Sequence, residues 1–190
     1  MSNRDTPQHL LAIVGMPGSG KSEAAAFFAS HGIPILRFGD QVEIGLQEKG
    51  LPLTPENERQ YRENLRQELG MAAMAIKIVP RIEQLINDHK PSVVVLDGLY
   101  SWDEFELLRE RFPNIKLMSI IADREVRYDR LASRSHRPLT HAEAQERDIA
   151  EIKNIEKGGP IAFADINILN NGPLADLQKR LQQILKDISV

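Results

Sequence analysis

The chain has 190 residues, a formal net charge of -3, and a composition that is 42% hydrophobic and 27% charged. Length and makeup fit one domain, residues 1–190, large enough to bury a core with helices on both faces of a sheet. The slight acidity gives no reason to expect long nucleic acid or an anionic membrane as the main partner, so any anion site must be built locally. The chain has no cysteine, which excludes a disulfide framework, a thiolate metal site and a catalytic thiol. Met1 to His9 lacks the build of a signal peptide and no apolar run approaches the ~20 residues of a membrane helix, so the cytoplasm is the expected location.

Residues 1 to 8 read as a frayed tail. The apolar run Leu10 to Val14 suits one buried strand, and Lys21 to about Ser30 reads as a helix stopped at His31-Gly32, where glycine is the expected cap. Between them, Gly15 to Ser22 fits the phosphate-loop pattern G-x-x-x-x-G-K-[ST] in the strand-to-helix setting it requires. The chemistry explains the residue types. Gly15, Gly18 and Gly20 supply backbone conformations that a Cβ would penalise, so the main chain of Gly15-Met16-Pro17-Gly18-Ser19-Gly20 can wrap a polyphosphate. The helix start offers unpaired N–H groups and a positive dipole end. Lys21 adds a mobile charge for the β and γ phosphates, and the Ser22 hydroxyl can ligate Mg²⁺.

Ile33 to Phe38 reads as a second strand ending at Gly39-Asp40, followed by a helix from Gln41 to Lys49. Thr54 and Pro55 signal the next helix start. The segment from Glu56 to about Asp88 is long for one helix; Pro80 is expected to kink or break it, and Gly70 weakens it further. Val93 to Leu96 is a buried strand ended by Asp97, Trp102 to Phe112 a helix, and Ile115 to Ala122 a strand ended by Asp123. Helices over Arg124 to Arg134 and Thr140 to Lys157 follow, the second stopped by the breaker Gly158-Gly159-Pro160. The last strand, Asp165 to Leu169, the turn Asn170 to Pro173 and a helix from Leu174 to Ile188 close the chain. Five strands alternating with helices imply a parallel α/β sheet covered on both faces, with ligands at the carboxyl ends of its strands.

Asp40, Asp97 and Asp123 all follow strand ends. Asp97, after a four-residue apolar run, is the acid best placed to hold Mg²⁺ with Ser22, and Asp40 is a candidate to orient an acceptor; capping a helix or turn would explain the same residues. Arg127, Arg130, Arg134 and Arg137 are spaced three, four and three apart, so a helix reaching that far would put them on one face, with Arg124 and His136 nearby. Phosphoryl transfer uses such a patch, carried on a mobile lid; a solvated face is the alternative. Arg59, Arg62 and Arg66 occupy the helix stripe that further along is apolar, which places them over a cleft with an anionic acceptor beneath, or else in solvent.

These pieces together resemble the nucleoside monophosphate kinase branch of the phosphate-loop enzymes, and within it the small dephospho-CoA-kinase-like and adenylate-kinase-like proteins. The resemblance is carried by Gly15 to Ser22, Phe38-Gly39-Asp40, Leu65 to Gly70, Leu96-Asp97-Gly98, the Arg127 to Arg137 run, Glu146-Arg147-Asp148, and Ala164-Asp165 through Asn170-Asn171-Gly172. It implies a three-layer phosphate-loop NTPase core (9–39, 90–123, 160–190), a helical acceptor-binding region (about 40–89) and a short lid (about 124–147). It also implies ATP and Mg²⁺. Arg66 would then contact the acceptor, Arg130 and Arg134 the transferring phosphates, and Asn171-Gly172 the adenine edge. Dephospho-CoA kinases carry D-A-D where this chain has Gly39-Asp40-Gln41, and adenylate kinases D-G-F-P-R where it has Asp97 to Ser101, which leaves the acceptor open.

The expected activity is therefore an ATP-dependent phosphotransferase acting on a nucleotide or nucleotide-like small molecule. Lys21, Asp40, Asp97, Arg130 and Arg134 are its expected catalytic residues. Asp40, Arg59, Arg62, Arg66 and Arg137 would bind the acceptor, and Ser22 and Asp97 the metal. Dephospho-CoA phosphorylation is the alternative among enzymes, and a nucleotide-dependent switch the alternative of another class. The expected assembly is a monomer or small homo-oligomer.

Overall fold

The computed structural model describes residues 9–135 and 137–188, so the N-terminal tail and His136 of the basic run lie outside the described residues. Five strands, β1 (His9–Val14), β2 (Ile35–Arg37), β3 (Val93–Asp97), β4 (Ile115–Ile121) and β5 (Ile166–Leu169), form one sheet in the order β2-β3-β1-β4-β5. All four pairings are parallel. The carboxyl ends of the strands therefore lie along one edge, where the loops that follow them meet.

Alternation along the central strands splits the core into two layers. Leu10, Ala12 and Val14 of β1 and Val94 and Leu96 of β3 face one side. There they pack under α2 (Asp40–Glu48), α3 (Pro55–Leu69), α4 (Ala73–His89) and α5 (Trp102–Arg111) through residues such as Leu46, Leu65, Ile78, Ile82 and Leu108. Leu11, Ile13, Val93 and Val95 face the other side, against α1 (Lys21–Ser30) and α9 (Leu174–Ile188) through Ala24, Phe28, Leu177 and Leu181. Strands buried on both faces read as unbroken apolar runs, as these do. A third, small cluster of Tyr128, Leu131 and Ala144 joins α6 (Arg124–Ser133) to α7 (His141–Ile155).

Besides the second strand, expected over Ile33 to Phe38 and confined to Ile35–Arg37, three boundaries differ from the sequence expectations. The long helical segment breaks at Gly70, not at Pro80. Gly70 adopts φ 81 and ψ -174, open to glycine and strained for any other residue, and separates α3 from α4. Pro80 sits inside α4 on its exposed side, where water can take the carbonyl that the missing N–H leaves unbonded. Second, Gly158-Gly159-Pro160 does not stop α7, which ends at Ile155 with Glu156 after it in a left-handed conformation; these residues begin the short helix α8 (Gly158–Ala162). Third, α6 ends at Ser133, so the four arginines do not share one helical face: Arg134 is extended and Arg137 has φ +51. The expected caps formed, with Thr54 accepting from the Asn57 N–H at 3.3 Å ahead of Pro55.

Gly70→Ala is expected to destabilise the fold by about 1 kcal/mol or more, while Pro80→Ala stabilises it, by about 1 kcal/mol, because the helix regains a hydrogen bond. Denaturant midpoints of the two variants check both signs.

Candidate functional site

The turn between β1 and α1 is tightly packed from behind. A Cβ on Gly15 would strike the Ile120 carbonyl of β4, one on Gly18 would come within 2.6 Å of the Arg127 carbonyl, and one on Gly20 would strike the Asn170 amide. All three have positive φ, at 149, 78 and 106. They are glycines because the loop is pressed against β4, α6 and the loop after β5, as well as because its amides must turn outward. The Ser19 Oγ is buried without a hydrogen-bond partner among the described residues. The Asn170 amide donates to the Ser19 carbonyl at 2.8 Å, tying the loop after β5 to the phosphate loop.

Two cavities adjoin this loop. The first, about 490 Å³, is lined by Gly18, Gly20, Lys21, Ser22, Glu23, Arg130, Leu131, Arg134, Asn170, Gly172 and Leu174. Lys21 is held by the Met16 carbonyl at 3.0 Å. Burial, with Lys157 nearby, pulls its ammonium down to about 7, while Glu151 and Asp97 oppose the shift. A half-buried ammonium bonded to one carbonyl suits an incoming polyanion. Arg130 donates to the carbonyls of Asn170 (2.8 Å) and Gly172 (3.1 Å), so it braces the loop expected at the base edge. Asn171 is turned toward the β4–α6 turn, where its side-chain oxygen accepts from the Asp123 N–H at 2.8 Å.

The second cavity, about 740 Å³, gathers Asp40, Arg59, Arg62, Arg66 and Arg137, all five residues expected at the acceptor. Arg37, Tyr100, Arg147 and Glu151 also line it. The Asp97 carboxylate, at the tip of β3, pairs with Arg37 at 3.5 Å. Burial pushes it up, opposed by Arg37 and Lys21. Asp97 thus faces both Lys21 from the first cavity and Arg37 from the second. Asp40 opens α2 and pairs with Arg81 at 3.7 Å. Arg62 and Arg137 share Glu58, at 3.6 and 3.3 Å.

Among the described residues no cluster of three or more His, Asp or Glu could by itself hold a metal. The exposed Ser22 hydroxyl and the Asp97 carboxylate are hard oxygen donors of the kind Mg²⁺ accepts when phosphate oxygens and water complete its shell.

Several residues of the site were not singled out one by one from the sequence, Arg147 standing only within the Glu146-Arg147-Asp148 resemblance and Tyr100 only within Asp97 to Ser101. Arg147 and Glu151 form an i,i+4 pair at 2.9 Å that reads as a solvated helix face. Lys157 is 1% exposed, bonds Glu151 and sits 4.8 Å from the centre of the Tyr100 ring. Burial pushes the Tyr100 phenol up to about 12, with Asp97 adding to the shift. Arg37 did carry a signal, its place at a strand end directly before Phe38-Gly39-Asp40.

Arg127 plays a part different from its neighbours in the basic run. It is 6% exposed and donates to both carboxylate oxygens of Asp148 (3.1 and 2.6 Å), to the Pro17 carbonyl (3.0 Å) and to the Ala122 carbonyl (3.3 Å). It is a brace between the expected lid and the phosphate loop.

Comparison with known proteins agrees with this architecture. The profile of a family described as AAA domain matches residues 11–153. A UPF0200 protein of Pyrococcus abyssi is 36% identical over 183 residues, covering 94% of this chain and 96% of that protein. A Thermus thermophilus crystal structure, TT1252, superposes with TM-score 0.63 at 22% identity, over 96% of this chain and 98% of that one. The shikimate kinase of Bacteroides thetaiotaomicron superposes with TM-score 0.57 at 14% identity, over 93% and 98%. The fold is that of the phosphate-loop kinases, a five-stranded parallel sheet with helices on both sides. No helix among the described residues is long and apolar enough to cross a membrane.

Arg127→Ala leaves the buried Asp148 carboxylate with the Tyr128 hydroxyl at 3.2 Å but no guanidinium, and is expected to cost about 3 kcal/mol of stability by denaturant unfolding. Glu104 is wholly buried in α5, so its ionisation is linked to folding. Burial pushes its carboxyl up to about 7 from an ordinary 4.5. The folded state therefore binds its proton more tightly, so this contribution to stability is complete below pH 4.5 and lost as the pH rises through about 7. Unfolding midpoints of the wild type and Glu104→Gln near pH 5 and near pH 8 check it: the advantage of the wild type shrinks at the higher pH.

Proposed function

This chain belongs to the UPF0200 family and carries an AAA domain, and on that premise we propose that it is an ATP-dependent phosphotransferase whose acceptor is a nucleotide or nucleotide-like small molecule. The observation that carries the reading is the pair of cavities flanking Asp97: one headed by Lys21 and the phosphate loop, the other lined by six arginines. A nucleotide-binding module without an acceptor has no use for the second.

In this reading Gly15 to Ser22 wrap the polyphosphate of ATP, and the loop Asn170 to Gly172 lies at the base, braced by Arg130. Ser22 and Asp97 would hold Mg²⁺, which would supply neutralisation of phosphate charge. Lys21 gives up the Met16 carbonyl for phosphate oxygens. Arg134, in the wall of the first cavity, faces the same charge from the α6 side. Asp40 and Asp97 orient the acceptor group, and Arg59, Arg62, Arg66 and Arg137 hold its anionic part. Catalysis then comes from positioning and electrostatics, as phosphoryl transfer requires.

The bulk of the second cavity, 740 against 490 Å³, favours one alternative acceptor, a nucleotide with an extended arm such as dephospho-CoA.

Coupled ADP release across nucleoside monophosphates, deoxynucleotides and dephospho-CoA tests the reading: one acceptor should accelerate ATP turnover at least about tenfold. Indifference to every acceptor, with a response to protein instead, would identify a nucleotide-dependent switch. Lys21→Ala is expected to abolish ATP binding and turnover. Arg134→Ala should lower kcat by roughly tenfold or more with ATP affinity nearly unchanged, measured by steady-state kinetics and calorimetry.

A further inference from the structure

Beneath the arginine-lined cavity lies a carboxylate that the phosphotransfer reading leaves unused. Glu104 is 0% exposed. Its Oε2 closes the capping box of α5, accepting from the Tyr100 N–H at 2.8 Å and the Ser101 N–H at 3.1 Å. Oε1 is buried with no hydrogen-bond partner among the described residues. A capping box needs no such burial, since surface helices carry it equally well.

A second orphan has the opposite charge. The Nε of Arg66, on α3, is likewise buried without a hydrogen-bond partner, and Arg66 lines the second cavity. The charged groups acting on Glu104 are Arg66 from α3 and Lys157 from the turn before α8, besides the two N–H donors of its own loop. Two unsatisfied buried groups, one an acceptor and one a donor, carry a desolvation cost that a single hydrogen bond between them would remove.

We propose that Glu104 is a positioning residue for the anion bound in the second cavity: its Oε1 takes the Nε–H of Arg66 when the anion enters, aiming the terminal nitrogens of that guanidinium at the ligand. The inference rests on the reading of that cavity as the acceptor site. It names the ligand chemistry, because a guanidinium tied back through Nε presents two terminal N–H donors that match the oxygens of a phosphate or carboxylate. It also explains why a costly carboxylate lies under a cavity full of arginines when, among the described residues, Arg66 has no acid in ion-pair contact with it, whereas Arg37, Arg62, Arg137 and Arg147 each pair with one. Glu104 accepts best when ionised. Since burial holds its carboxyl near 7, the device engages above neutral pH and releases below it.

The Nε–H signal of Arg66 in ¹⁵N NMR, assigned by its loss in Arg66→Lys, tests this without any turnover. In the wild type it is expected to move with a midpoint near pH 7, and in Glu104→Gln to stay flat between about pH 5.5 and 8.5. With AMP as the probe anion near pH 8, Glu104→Gln should bind about tenfold more weakly, while its affinity for Mg-ATP stays within about twofold of the wild type. The inference is overturned if the wild-type signal ignores pH or AMP, if Glu104→Gln binds AMP as well as the wild type, or if it loses Mg-ATP by the same factor. Should Glu104→Gln fail to fold, the ¹³C titration of the Glu104 carboxyl in Arg66→Lys replaces it. There an upward shift of roughly half a pH unit is expected, and no shift is fatal. Failure of the wild type to bind Mg-ATP would instead defeat the phosphotransferase reading and leave the Arg66 signal to be judged by itself.

Discussion

One buried guanidinium ties the separate parts of this molecule into a single site. Arg127 reaches from α6 to Asp148 on α7 and to the carbonyl of Pro17, 110 residues earlier in the phosphate loop. The apolar cluster that joins α6 to α7 is small, essentially Tyr128, Leu131 and Ala144 with Leu139 against it. Hydrophobic burial of that size does little to fix an angle between two helices and a sheet edge, whereas hydrogen bonds from a planar fork do. The pair makes both α6 and α7 answer to the position of the phosphate loop, and Gly18 must lack a side chain because the Arg127 backbone lies against it.

Around that brace the protein stores positive charge under partial neutralisation. Arg37 is held by Asp97, Arg62 and Arg137 by Glu58, and Arg147 and Lys157 by Glu151. Pairs whose arginine is largely exposed contribute little to stability, so an incoming anion can take the arginine at small cost. The deep groups behave otherwise. Lys157 and Glu104 are both sealed from solvent and both shifted toward neutrality by burial. Such placement is dear in free energy and is better understood as orienting the charges in front of it than as holding the fold together.

Much of the architecture could be read from the chain. Parallel strands buried on both faces read as continuous apolar runs, so Leu10 to Val14 and Val93 to Leu96 announced themselves, while Ile115 to Ala122 reads as a strand in spite of Lys116 and Ser119; the glycines and Lys21 between β1 and α1 follow from the geometry of wrapping a polyphosphate. The three- and four-residue spacings on α3 likewise placed Arg59, Arg62 and Arg66 on one wall. The misreadings have a common cause. Pro80 looked like the stronger breaker than Gly70 because local rules weigh a lost N–H above a tolerant φ. Which of the two matters depends on whether that carbonyl faces water and whether the chain must turn, and both are decided by packing.

The sequence by itself determined the strand count, the parallel order of sheet and helix, the phosphate loop and the arginine stripe of α3, because these rest on periodicity and on backbone conformations that few residue types allow. Only the tertiary structure decided the division of labour among chemically identical residues. Arg127 became a brace and Arg130 a prop for the loop after β5, while Arg66 was left with an orphan Nε and a charge that acts on the buried Glu104. Four or more arginines at helical spacing are interchangeable to any local rule. Burial and the long-range carboxylate or carbonyl that each one meets are what make them different.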